Sequence, residues 1–330
     1  MPISGAQNLN CAILSLAFPH ESPGSLCGLR VLLAENKAMS IRNYFMLLSD
    51  TTPRQWVGFL RRKFAGYQAL SAFDDRHPAI FVLSTGRVGT QTLAALLKLA
   101  PNLSAHHEPS PKLYGLGRLA YWHGDEALAR IILAEAVSSA RQKYWQYALN
   151  VGRGYAETSP QLTFLAPVLL QLYPQARFIH LSRHPYAVIR SGMRRGWYQD
   201  HPSDATRLTP KASDPLAERW QTLPRLDKIS WLWAETNRWV MEFMSDLPPQ
   251  QRLTLQAEPL FSAETATLES LYHFVGSPVP SPRKIQRILG HQLNAQKTGH
   301  FPPPQEWDEK MRQDVWHWVG DVAESLGYTP

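Results

Sequence analysis

The sequence predicts an α/β protein with a central, mostly parallel sheet flanked by helices. Three observations carry that prediction. Short continuous apolar runs, at Ala79–Ser84 and in "RFIHLS" (177–182), mark strands buried on both faces. Segments with apolar residues at helical spacing lie between such runs. Strands alternating with helices build a parallel sheet with helices on both sides. At 330 residues the chain has room for one such domain with excursions.

Residues 1–76 read as an N-terminal extension, partly disordered, because 1–40 are rich in Ser, Pro and Gly without a period. Met39 is a second candidate start. From Pro53, Trp56, Phe59, Leu60, Phe64 and Tyr67 recur at helical spacing beside Arg54, Arg61, Arg62 and Lys63. This predicts a basic amphipathic helix near 53–70. Such a helix can lie on a membrane surface, and docking on its own domain is the commoner use.

The domain proper, 77–330, opens on the strand Ala79–Ser84. A small turn follows, then a helix whose face is Leu93, Leu96, Leu97 and Ala100 and which stops at Pro101. Leu103–His107 reads as a strand. Residues 126–146 read as a helix with Leu128, Ile131, Ile132 and Val137 in its buried stripe. "GYAETSP" gives a short strand, and Ser159-Pro160 opens a helix through Leu170. After "RFIHLS" comes a helix in "AVIRSGMRRGW". Residues 199–227 are polar and contain prolines, an excursion of the kind that covers a site. A helix from Ile229 to Met244, a strand at "RLTLQA", a helix over 264–275 ending at Gly276, a Pro-rich loop at 302–304 and a last helix before Gly327 complete the chain.

Hydrophobic residues make up 44% and charged residues 18%, the balance of a globular protein. The net charge of +7 favours anionic ligands, yet no Lys/Arg run suits a nucleic-acid tail, so no nucleic-acid partner is expected. The two cysteines, Cys11 and Cys27, stand outside every motif and fit a reducing compartment. No apolar stretch approaches the ~20 residues that span a bilayer, and no basic n-region precedes Cys11–Phe18. A cytoplasmic location is the expectation. His106, His107, His180 and His184 do not form a metal-ligand pattern, and no metal is expected.

Chemistry gathers in "STGRVGTQTL". A glycine turn between a buried strand and a helix aims several backbone N–H groups at one point, and the helix N-terminus adds partial positive charge. Gly86 and Gly89 permit the turn, Thr90 adds a hydroxyl and Arg87 a fixed charge. Such turns also occur for packing alone. The Lys-Ser/Thr ending of an ATP-binding P-loop is absent. In "RFIHLSRHPYAVIRSG", Arg183 follows a buried strand and Ser191 lies eight residues on; a guanidinium and a hydroxyl can share one phosphate. In isolation they also fit a strand-end Arg and an ordinary helical Ser.

Together these stretches resemble the sulfotransferase superfamily, with a 5′-phosphosulfate loop at "STGRVGTQTL" and a 3′-phosphate motif at "FIHLSRHPYAVIRSG". "YAETSPQLTFLAPVLLQLYPQARFIHL", "ISWLWAETNRWV", "RLTLQAEPLFS" and the closing "LGY" extend the resemblance over roughly 77–330. It implies a P-loop-containing sulfotransferase-like fold of the bacterial or carbohydrate type. It implies the co-substrate 3′-phosphoadenosine-5′-phosphosulfate, used without a metal. Sulfonate would pass by in-line displacement to an acceptor hydroxyl or amine on a carbohydrate, a glycolipid or a small metabolite. By the same resemblance Gly86, Arg87, Val88, Gly89, Thr90 and Gln91 hold the phosphosulfate, and Arg183 with Ser191 the 3′-phosphate. Val88 replaces the usual Ser, Gln91 stands where Thr or Ser is common, and Thr158 replaces a Lys. The resemblance also implies a base in "SAHHEPSP", Glu108 first and His107 second, with Glu157 of "YAETSP" third; Glu108 could instead pair with an arginine and only shape the site. Arg87 joins them as a catalytic residue, stabilising charge that develops on the sulfonate and leaving oxygen. Trp197 and Tyr198 are candidates for the acceptor wall, and Lys297 for a flap over the nucleotide. A P-loop metabolite kinase, with "RLTLQAE" ending in a metal-binding acid, and a non-catalytic binding protein of this fold are the alternatives.

Overall fold

The computed structural model describes residues 73, 74, 76–199, 201–290 and 299–330. Cys11, Cys27, Met39, the helix expected near 53–70 and Lys297 lie outside the described residues. Five strands form one sheet: β1 (Ala79–Leu83), β2 (Leu103–His106), β3 (Gly154–Glu157), β4 (Arg177–Ser182) and β5 (Arg252–Gln256). Their order is β2-β3-β1-β4-β5 and every pairing is parallel.

β1 occupies the centre because all five of its residues, "AIFVL", are buried. Its Ala79 sits opposite Tyr155 of β3 and its Ile80 opposite Arg177 of β4. Phe81 of β1 packs near Tyr155, Phe178 and Tyr173, so an aromatic cluster runs through the sheet.

Helices flank the sheet: α1 (Thr90–Leu97), α2 (Leu116–His123), α3 (Ala127–Asn150), α4 (Ala166–Leu172), α5 (Pro185–Arg194), α6 (Leu216–Arg219), α7 (Arg225–Ser245), α8 (Ala257–Phe261), α9 (Thr265–Phe274), α10 (Pro282–Leu289) and α11 (Glu309–Ser325). The segment opened by Ser159-Pro160 begins as a 3-10 turn, Pro160–Leu165, before continuing as α4. Short pieces α6, α8 and α10 break the stretches expected as loop or plain connection. α7 starts four residues before Ile229, at Arg225 after Pro224, and packs on α5 and α11. Trp231 and Trp233 of α7 lie in the core, as do Trp145 and Trp220.

The stripe expected for α3 holds only in part: Val137 is buried and Leu128 half-buried. Ile131 and Ile132 are exposed, whereas Leu133, Val137, Ala140, Arg141, Trp145 and Ala148 are buried. A charged residue stands in the true stripe, and two apolar ones stand outside it. His180 is a core residue: its Nε2–H donates to Asn237 Oδ1 at 2.9 Å. Among the described residues no helix is long and apolar enough to cross a membrane.

Candidate active site

The turn between β1 and α1 is built from left-handed backbone. Gly86 has φ 76°, Arg87 φ 61° and Gly89 φ 93°. Three such residues in four turn successive N–H groups toward one side and make an anion-binding concavity at the start of α1. The turn is anchored from below by Thr163, whose hydroxyl accepts from Ser84 N–H at 3.0 Å and donates to Ser84 C=O at 2.9 Å. Val88 resolves its own oddity. Its side chain is buried in the core, so at that position only the backbone faces the turn. A side chain there serves packing, which a valine does better than a serine.

Residues a hundred positions apart meet here. Arg87 Nε donates to Ser191 Oγ at 3.1 Å, and Arg183 Nη1 donates to the Arg87 carbonyl at 3.2 Å. Arg183 leaves the end of β4, where Trp233 Nε1 holds its carbonyl at 3.1 Å; Ser191 lies on α5. The helix α5 is started by His184, which caps Tyr186 N–H through Nδ1 and gives its Nε2–H to Thr329 C=O. Burial, then the neighbouring Arg195 and Arg183, pull the Arg87 pKa down to about 10, with Glu108 opposing. Like charges held this close in a partly desolvated site favour an anion between them.

The cradle opens into a cavity of about 870 Å³. Gly86, Arg87, Gly89, Thr90 and Gln91 line it on one side, with Arg183 and Ser191. His107 and Glu108 line it as well, just past the end of β2. His107 Nδ1 stands 2.9 Å from Thr158 C=O and 3.0 Å from Thr158 Oγ1. A carbonyl can only accept, so Nδ1 carries the proton and Nε2 of the neutral ring is a free acceptor. That Nε2 is 3.9 Å from Glu108 Oε1, while Glu108 Oε2 pairs with Lys112 Nζ at 3.4 Å. Glu108 sits at φ 43°, a left-handed position uncommon for a residue with a side chain.

Other expectations divide. Trp197 lines the cavity, with the Arg207 guanidinium 4.3 Å over its ring. The excursion 199–227 contributes His201, Ser203, Thr206, Arg207 and Leu208 to the wall. Tyr198 turns away, and its hydroxyl donates to Leu208 C=O at 2.6 Å. Glu157 is no base: it is fully buried, accepts two bonds from Arg141 and takes the hydroxyls of Tyr155 and Ser159. Glu258, the acid that a kinase would need, accepts from His184 N–H and from the Tyr328 hydroxyl. Thr163, Trp233 and Phe261 support the cradle from distant segments; the stretches that hold them carried the resemblance, but no motif there singled out these three residues.

A sequence profile of the sulfotransferase family matches residues 78–281, more than half of the chain. The chain belongs to the sulfotransferase family. Among solved structures, this sulfotransferase is similar to a sulfotransferase domain from the curacin biosynthetic pathway, at 19% identity over 77% of this chain and 98% of that one, TM-score 0.45. It is similar to the sulfotransferase domain of the Synechococcus PCC 7002 olefin synthase, at 17% identity over 77% and 96%, TM-score 0.45. Mouse sulfotransferase SULT7A1, solved in complex with PAP, matches at 17% identity over 79% and 92%, TM-score 0.45. No curated protein matches the chain.

Proposed function

We propose that this sulfotransferase moves a sulfonate from 3′-phosphoadenosine-5′-phosphosulfate to a hydroxyl or amine of a carbohydrate, a glycolipid or a small metabolite. The catalytic domain in this reading is 77–330. The observation that carries it is the bond from Arg87 to Ser191, which joins the turn after β1 to α5 in one site. Two anion-binding motifs in direct contact suit a nucleotide with phosphate at two ends. The crowding of Arg87, Arg183 and Arg195 is a fit for several negative charges.

The donor supplies an activated sulfonate whose leaving group is adenosine 3′,5′-bisphosphate. Arg183 and Ser191 bind the 3′-phosphate, and the N–H groups from Gly86 to Thr90 orient the 5′ side. The Gln91 side chain, on the cavity wall, adds a polar contact there. Arg87 stabilises charge that grows on the transferring group as the bond to the leaving oxygen lengthens. The acceptor loses its proton to His107 Nε2, the nitrogen that the Thr158 carbonyl leaves unprotonated. Glu108, 3.9 Å away, favours the imidazolium that results. This order places His107 ahead of Glu108 as base, since Lys112 already compensates the carboxylate.

The test is a thermal-shift panel with adenosine 3′,5′-bisphosphate, ADP and ATP. The bisphosphate raises Tm most, and Arg183→Ala removes that rise; stabilisation by ATP alone refutes the donor. His107→Gln lowers transfer at least ~100-fold, the scale of general-base loss, while Glu108→Gln lowers it less. The reverse ranking returns the base role to Glu108.

A further inference from the structure

Arg141 is a charge that the fold has buried and the reaction does not touch. It lies mid-way along α3 at 1% exposure, against Glu157 at 0%. Its Nε donates to Oε2 at 2.7 Å and its Nη2 to Oε1 at 2.9 Å, a two-pronged pair. The Tyr155 and Ser159 hydroxyls each donate to the same carboxylate at 2.6 Å. A buried ion pair contributes little net stability against an apolar replacement, because desolvating both charges offsets their attraction. Its remaining contacts reach beyond the pair.

Those contacts lead to the base from two directions. Arg141 Nη1 donates to the Pro111 carbonyl at 2.7 Å, in the loop that carries His107 and Glu108. One helical turn further along, the Tyr144 hydroxyl donates to Ser110 C=O at 2.9 Å. On the other side, Glu157 and Ser159 flank Thr158, whose carbonyl and hydroxyl hold His107 Nδ1. Thr158 N–H in turn donates to His106 C=O at 3.0 Å. The ion pair thus grips both the seat of the imidazole and the loop that delivers it. Neither Arg141 nor Glu157 lines the cavity.

We propose that Arg141, through Glu157, is a positioning residue for the base: it fixes Thr158 against the 107–111 loop and so holds His107 as the Nδ1–H tautomer with Nε2 toward the acceptor. This rests on His107 as the base. Arg141→Lys keeps the charge but loses the fork, which cannot reach Glu157 twice and Pro111 at once.

The decisive variant is R141M/E157Q, which removes both charges together and leaves neither buried alone. The full chain is labelled with ¹⁵N-histidine, and the His107 signals are assigned by their loss in His107→Gln. In the wild type His107 shows Nδ1–H at neutral pH; in R141M/E157Q the Nε2–H form appears. Release of adenosine 3′,5′-bisphosphate from the donor, with water as acceptor, falls at least tenfold in kcat while the donor KM stays within threefold. A folded double variant that binds the bisphosphate and keeps the wild-type His107 signals and kcat overturns the proposal. Should the double variant fail to fold, Ser159→Ala decides, because it loosens Glu157 without touching a charge. Unchanged His107 signals in Ser159→Ala overturn the proposal, and a shift toward Nε2–H supports it. Wild-type release by His107→Gln overturns the base reading itself, which is a separate result.

Discussion

Replacing Gly89 by alanine loads the cradle with two separable costs. Gly89 holds φ 93°, so a side chain there adopts left-handed backbone at about 1–2 kcal/mol. The new Cβ would also fall inside the van der Waals envelope of Phe261 Cζ and Cε2, with Cε1 at 3.5 Å. Phe261 is only partly buried in α8, so its ring can swing, and overpacking of this kind costs about 1–3 kcal/mol. The sum, about 2–5 kcal/mol, corresponds to a fall in Tm of roughly 4–20 °C for a domain of this size. Scanning fluorimetry of Gly89→Ala in the absence and presence of adenosine 3′,5′-bisphosphate reads both stability and site. In a Phe261→Ala background the alanine costs only the backbone share, about 1–2 kcal/mol, because the ring has gone. A Tm within 2 °C of wild type, or an equal loss in both backgrounds, would refute the reasoning.

Three further outcomes follow from buried and half-buried groups. Thr163→Val leaves the N–H and C=O of Ser84 without their partner and lowers stability by about 1–3 kcal/mol in urea unfolding, whereas Thr163→Ser keeps most of it. Burial holds the His180 pKa down at about 4, below the ~6.5 of an unfolded chain. The unfolded state therefore takes the proton first, and stability falls between about pH 6.5 and 4 by up to roughly 3 kcal/mol. His180→Gln flattens that part of the urea-derived stability curve, and an identical slope in the variant would contradict it. Asp227 is shifted the other way: burial and then Asp314 raise its carboxyl pKa. Its ionised form is disfavoured in the folded state, so Asp227→Asn stabilises at pH 7 and loses that advantage as pH falls below the unfolded value, near 4. A Tm gain that persists at pH 3 would exclude this cause.

The strands were legible because burial on both faces leaves an unbroken apolar run, as in "AIFVL" and "RFIHLS". The cradle was legible because only glycines supply its backbone cheaply, and Arg183 with Ser191 because their spacing follows from one strand end and one helix. The burial of α3 was not. Arg141 breaks the apolar stripe with a charge whose partner, Glu157, lies on another element, while the exposed Ile131 and Ile132 imitate a core face. Glu157 looked available as a base for the same reason, since a sequence shows a carboxylate but not what surrounds it. The bond that chooses the His107 tautomer was not legible either, because it comes from the backbone carbonyl of Thr158. Backbone acceptors have no letter in the sequence. Gly89 was readable as a turn glycine, but not its contact with Phe261, which is brought in from the far edge of the sheet.

The central place of β1 also governs how the chain comes into being. Its partners β3 and β4 begin at Gly154 and Arg177, so the strand leaves the ribosome well before either neighbour exists. At typical synthesis rates the interval from β1 to its first partner β3 is about 4–15 s, during which five apolar residues have no neighbouring strand to join. Local helices such as α3 form in that time, but the site cannot, because Arg183 and Ser191 are made after the wait. Nascent chains halted before residue 177 should therefore recruit holding chaperones and bind no nucleotide, and both abilities should change together once β4 emerges.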